Sequence, residues 1–297
     1  ALSRMPLSEK IKQKKDRMAL VGQTNDMMAL DSLGNKDHDK RLITPKDGQA
    51  MLELALLYEQ GVHYEKDQVK AAEWALKSAE TGLPAGCVAI GFYYLHGNGV
   101  VADQQTGAAY YQRAADQNDP EGLFRLAQCY NDGLGVDTDL EKAAALMTKA
   151  SDAGHLEATN NLGVFYIQGI GVDQSTSRAL ELFRQAAEGG IGTAMTNLGI
   201  HYRDGRGVEQ DAEQALQWFR KAADVNDLDG IMLLTHCYQF GEGTEIDLDH
   251  VMELLEYAAD LGHTPAMTWL GENYLKGIGT EIDYEKAVKW FRAAADA

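Results

Sequence analysis

Residues 158–190 read ATNNLGVFYIQGIGVDQSTSRALELFRQAAEGG. Ala158, Leu162 and Tyr166 fall at i, i+4 and i+8, one helical face with a small residue at one end. A small side chain there lets a neighbouring helix approach closely. Gly169 and Gly171 permit positive φ, so the chain can reverse direction. Ser175 is a residue type that caps a new helix by accepting bonds from its free N–H groups. Leu182 supplies the apolar face of that second helix, Ala186 and Ala187 follow, and Gly190 suits its left-handed end. The stretch therefore predicts an antiparallel helix pair.

The pattern recurs every thirty-six residues, with Tyr58, Tyr94, Tyr130, Tyr166, Tyr202, Tyr238 and Tyr274 in register. A fixed period of this size is the signature of a solenoid. Aliphatic residues stand four positions before each tyrosine: Leu54, Ile90, Leu126, Leu162, Leu198, Leu234 and Leu270. Small residues stand four further back: Ala50, Gly86, Gly122, Ala158, Ala194, Gly230 and Ala266. Paired glycines follow each tyrosine, and only His63 interrupts them. Helix caps are expected at Asp67, Asp103, Asp139, Ser175, Asp211, Asp247 and Asp283. Second helices are expected to end at Gly82, Asn118, Gly154, Gly190, Asn226 and Gly262, the two residue types that tolerate a left-handed conformation.

These motifs resemble the Sel-1-like repeat, a relative of the tetratricopeptide repeat. Besides residues 158–190, the unit from Ala266 carries Leu270-Gly271, Tyr274, Gly277, Gly279, Asp283, Lys286-Ala287, Trp290-Phe291 and Ala294-Ala295. The resemblance runs from residue 49 to residue 297 without a gap, with departures at His63, Thr235 and Val251. It implies an all-α fold, a right-handed α/α superhelical solenoid of seven 36-residue helix-turn-helix repeats with a helical N-terminal extension. The repeats would span 49–84, 85–120, 121–156, 157–192, 193–228, 229–264 and 265–297, and residues 1–48 would extend or cap the array.

The 297 residues carry 27 Lys+Arg against 45 Asp+Glu, a net charge of −18. Residues 1–48 hold ten basic and seven acidic residues, or +3, which leaves −21 on the repeats. That sign opposes nucleic acid and anionic membranes as ligands, since phosphate recognition needs cations. It suits a basic partner, or merely keeps the array soluble. No apolar run reaches membrane-spanning length, so no membrane insertion is expected.

Cys129 and Cys237 hold the same slot three repeats apart, roughly 30 Å at the spacing of packed helices, and cannot pair. Some Sel-1-like proteins carry an in-register disulfide in each repeat, and this chain has no such set. Unpaired thiols favour the cytoplasm, while the start at Ala1 leaves open a removed targeting segment and a periplasmic or secreted protein. Leu7, Ile11, Met18 and Val21, surrounded by five basic residues, predict a basic amphipathic helix. Two readings stand for residues 1–43: a cap on the array, or an arm that contacts its acidic groove.

Catalytic and phosphate-binding motifs are missing, and no cofactor or metal is implied. Acidic loops such as Glu245-Ile246-Asp247-Leu248-Asp249 lack the spaced ligands and glycine of a calcium loop. His201, His236 and Cys237 fall in adjacent repeats and form a remote zinc candidate, although the slot of His201 and Cys237 also holds Leu57, Tyr93 and Phe165.

In tetratricopeptide-like packing the first helix of each pair lines the concave side. The resemblance therefore implies a groove lined by Leu52, Leu56, Glu59, Val88, Phe92, Leu95, Phe124, Gln128 and Asn131 in its first half. Asn160, Asn161, Ile167, Thr196, Asn197, Ile200, Arg203, His236 and Phe240 continue it. In tetratricopeptide relatives an asparagine at the place of Asn161 and Asn197 can hold a peptide backbone, but asparagine is also the usual family residue there. The expected function is a non-enzymatic adaptor or scaffold, binding a basic peptide or amphipathic helix of another protein in signalling or complex assembly. A structural spacer in a larger assembly is the alternative.

Overall fold

A computed structural model describes residues 47–61 and 65–297. The described residues form fourteen helices and no strand. The first four repeats pair α1 (Gly48–Gln60) with α2 (Gln68–Glu80), α3 (Pro84–His96) with α4 (Gln104–Ala115), α5 (Pro120–Asp132) with α6 (Leu140–Asp152) and α7 (Leu156–Gln168) with α8 (Thr176–Glu188). The last three pair α9 (Gly192–Asp204) with α10 (Ala212–Asp224), α11 (Leu228–Phe240) with α12 (Leu248–Asp260) and α13 (Thr264–Lys276) with α14 (Tyr284–Asp296). The chain is an all-α solenoid. The predicted N-terminal helix and His63 lie outside the described residues.

Two features of the turn between paired helices recur in all seven repeats. The first helix ends on a glycine with φ between +66° and +74°, from Gly61 to Gly277. Nine residues after each tyrosine, the cap residue donates its N–H to the tyrosine carbonyl at 2.8–2.9 Å, from Asp67 on Tyr58 to Asp283 on Tyr274. The side chain of that cap accepts the N–H three residues on, as Asp139 does from Lys142 at 2.9 Å. One residue thus closes the loop and starts the next helix. The tyrosine rings face the second helix, where the Lys142 ammonium lies 4.0 Å from the Tyr130 centroid and Lys286 lies 4.9 Å from that of Tyr274.

The two glycine classes answer different demands. A Cβ at Gly135 would sit 1.9 Å from the carbonyl oxygen of Gln104, because the loop rests on the first turn of the preceding repeat's second helix. Gly99 and Gly171 meet Gln68 and Leu140 in the same way. At Gly154, which ends α6 at φ +88°, a Cβ would meet nothing within 4 Å. Asparagine therefore replaces that glycine at Asn118 (φ +57°) and Asn226 (φ +65°).

Small residues set the helix spacing. A Cβ at Gly163 would lie 2.6 Å from the Phe183 ring, and one at Gly199 would lie 2.3 Å from the Phe219 ring. Between repeats, Gly122 and Gly230 lie against Ala114 and Ala222. First helices of successive repeats also touch one another, α1 with α3, α3 with α5 and α9 with α11. No pair of second helices among the described residues does so to that extent, so the first helices line the inner side. The core runs between the layers, through clusters that each span several helices.

Cys87, Cys129 and Cys237 are unpaired and buried in that core. Burial pushes the Cys129 and Cys237 thiols up to about 11, from an ordinary value of 9.0. The folded state holds them protonated where the unfolded chain would ionise. Their contribution to stability is therefore complete below pH 9 and is lost as pH rises from 9 to about 11.

Three outcomes are expected. Gly135→Ala forces both a backbone clash and a left-handed alanine, and should cost about 3 kcal/mol or more in chemical denaturation. Gly154→Asn should stay within about 1 kcal/mol of wild type. At pH 8 a thiol reagent should leave Cys129 and Cys237 unmodified in the native protein and label both on unfolding, as counted by mass spectrometry.

Candidate functional site

The inner face combines exposed side chains with half-buried ones that also pack on the core, as Val88, Leu95, Ile167 and Ile200 do. Leu56 is exposed there, as are Phe92 at 37% and Phe240 at 57% of full accessibility. Glu59, Val88, Leu95, Gln128, Asn131, Asn161, Ile167, Asn197, Ile200, Arg203 and His236 are half-buried along the same surface. Four residues expected in the groove are not available to a partner. Leu52, Phe124, Asn160 and Thr196 are buried. All four occupy the slot six residues before the tyrosine, and the contacts of Phe124, Asn160 and Thr196 run to the following first helix or to the residue that caps it. Phe124 stacks on His155 with centroids 4.6 Å apart. The Asn197 amide donates to Asn160 Oδ1 at 3.0 Å, and the Thr196 hydroxyl donates to Asp227 Oδ1 at 2.7 Å. Asn160 also donates to Asn161 Oδ1 at 3.4 Å, so these asparagines link neighbouring first helices.

Chemically the inner face falls into three parts. Leu56, Val88, Phe92 and Leu95 make its N-terminal end apolar, and the Phe92 ring packs 4.2 Å from that of His96. His236 and Phe240 repeat such a pairing in the sixth repeat at 4.5 Å, and exposed Leu275 follows in the seventh. Between them lie Gln128, Asn131, Asn161 and Asn197, with the carboxylates of Glu121, Asp132, Glu157 and Asp204.

Those carboxylates are held in defined places. Burial disfavours charge on Glu121, but hydrogen bonds from His155 Nε2 at 2.8 Å and Arg125 Nε at 2.6 Å outweigh it and hold the carboxyl below its ordinary value. His155 also caps α7, its Nδ1 accepting the Ala158 N–H at 3.1 Å, which puts the ring proton on Nε2. Asp204 is lowered chiefly by the hydrogen bond from Arg203 at 2.8 Å, and Arg206 adds a contact at 3.0 Å. These partly exposed pairs contribute under about 1 kcal/mol each, so they position charge more than they stabilise the fold.

The zinc candidate does not assemble. His201 is buried with Nδ1 against the Arg206 carbonyl at 2.7 Å, His236 faces Glu242 and Phe240, and Cys237 lies in the core. Among the described residues no group of three metal-ligating side chains converges. Sequence reasoning also passed over exposed apolar residues on the edge formed by the interhelical loops, including Val101, Ile246, Ile282 and Tyr284. The signal was present as aliphatic residues inside acidic turns.

The Sel1 repeat family model matches residues 48–83, 84–119, 120–155, 156–191, 192–227, 230–263 and 264–297. Two solved structures share its fold at 30% identity. One is c5321, a protective antigen of uropathogenic Escherichia coli, with a TM-score of 0.68 over 84% of this chain and 54% of that one. The other is a Sel1 repeat protein from Oxalobacter formigenes, with a TM-score of 0.68 over 84% of this chain and 72% of that one. The chitin synthase regulator SKT5 of Saccharomyces cerevisiae is 34% identical over 77 residues, 25% of this chain and 11% of that protein. The chain thus spans about half of the antigen and a small part of the yeast regulator. With all seven repeats matched, the chain belongs to the Sel1 repeat family.

Proposed function

We propose that this chain is a non-enzymatic protein-binding scaffold whose inner face takes a segment of a partner protein. Proteins built from Sel1 repeats generally mediate protein–protein interaction, and the yeast relative is by its name a regulator. The observation that carries the reading is the exposure of Phe92 and Phe240 at slots where the repeat frame has no use for an aromatic ring. The partner segment would place apolar side chains at the two ends. Its middle would offer backbone and basic groups to the asparagines and carboxylates between them.

Affinity capture from the source cell with the wild type and a Phe92→Ser, Phe240→Ser variant tests this. Both rings are exposed, so the variant should keep wild-type helicity by circular dichroism. A partner retained by the wild type should be depleted at least tenfold by the variant. Equal retention would place binding elsewhere on the array. Phe124 is unsuitable for this purpose, because its loss would open the contact with His155.

A further inference from the structure

Two consecutive loops carry almost the same six residues, Thr244-Glu245-Ile246-Asp247-Leu248-Asp249 and Thr280-Glu281-Ile282-Asp283-Tyr284-Glu285. Helix capping accounts for only one residue of each. Asp247 accepts the His250 N–H at 3.0 Å and Asp283 accepts the Lys286 N–H at 2.9 Å. The isoleucines cap nothing and pack only through Cγ1, which lies over Gly241 and Gly277. The same slot elsewhere holds Lys66, Ala102, Thr138, Gln174 and Gln210. The amides of Gln174 and Gln210 donate to the carbonyls of Ile167 and Arg203, tying their loops down. Ile246 and Ile282 give up that bond, and they remain 62% and 57% exposed.

The two loops are stacked. A Cβ at Gly279 would lie 2.7 Å from the Leu248 carbonyl, so the second loop rests on the start of the helix that the first one feeds. Ile246 and Ile282 therefore stand about one helix spacing, ~10 Å, apart on one edge. Around them Glu245, Asp249, Glu281 and Glu285 are exposed, and none enters an ion pair among the described residues. Apolar side chains left mostly exposed at the centre of unpaired carboxylates suit a complementary surface.

We propose that this loop edge, centred on Ile246 and Ile282, is a second docking surface that takes a basic amphipathic segment of a partner protein. Its aliphatic residues would cover the isoleucines while flanking lysines or arginines meet the four carboxylates. Charge decides among occupants. An anionic membrane is repelled, and a second copy would bring the same carboxylates face to face.

The test uses a fluorescent synthetic helix of leucine and lysine as probe, with anisotropy read at low and physiological salt. Ile246→Ser with Ile282→Ser changes no charge and alters only exposed side chains, so folding is preserved. The double variant should bind the probe at least tenfold more weakly. Phe92→Ser with Phe240→Ser should bind as the wild type does, and a leucine–glutamate helix should not bind. Equal affinity of the double serine variant and the wild type would overturn the proposal, because general attraction to an acidic array would then suffice. Loss confined to the Phe92, Phe240 variant would overturn it in favour of the inner face. A concentration-dependent dimer in light scattering, abolished by the two serines, would assign the edge to a second copy instead.

Discussion

The backbone contact between each loop and the preceding repeat is the constraint on which the array depends. At Gly99, Gly135 and Gly171 only a hydrogen fits against the carbonyl beneath. Each loop is thereby seated on a helix whose start is fixed by its own cap, and that cap is fixed by a bond to the tyrosine carbonyl. Position in one repeat thus determines position in the next, through main-chain atoms at five loops and through the Thr176 and Leu180 side chains at Gly207. This explains why the period holds at thirty-six residues without an insertion while the surface varies freely. Position 63 belongs to the first repeat, which has no predecessor among the described residues to impose the contact.

Most of the frame was legible because its demands repeat. Caps, left-handed glycines and the stripe from small residue to tyrosine each recur in phase, so local stereochemistry and period point to one fold. A second regularity was equally present and went unread. Glycine follows the aliphatic residue where the second helix carries Tyr111, Phe183, Phe219 or Phe291. Ala55, Ala127 and Thr235 stand there where it carries Ala75, Met147 or Leu255. The glycine makes room for a ring, and Thr235 is a compensated change whose hydroxyl is satisfied by the Ile231 carbonyl at 2.8 Å. Finding this from sequence requires knowing which residues of the two helices face each other.

The inner face was less legible for the same reason. Borrowed packing pointed to the first helices, but not to which of their free positions are covered by neighbouring segments. The slot of Leu52, Phe124, Asn160 and Thr196 varies in residue type, as a ligand-facing slot would. Its variation instead follows local partners, stacking in one repeat and hydrogen bonding in others. A variable position is thus no sign of exposure in a solenoid, because each junction can be satisfied by its own pair. The zinc candidate failed similarly: shared slot and nearness in sequence did not bring the rings and thiol to a common point.

Separating frame from surface has a consequence for how such a chain acquires function. Its stability is approximately a sum over repeats and their junctions, so an exposed substitution in one repeat leaves the others nearly untouched. Phe92 and Phe240 lie in different repeats, and Ile246 and Ile282 lie on another edge, yet all sit on the same frame. Binding surfaces can then be altered one at a time, at a cost limited to the local apolar exposure. Isoleucine at positions 246 and 282, where two other repeats carry a loop-tying glutamine, is such a cost, confined to two neighbouring turns. A chain held together by backbone contacts can carry these exposures where a single-core domain would have to repack.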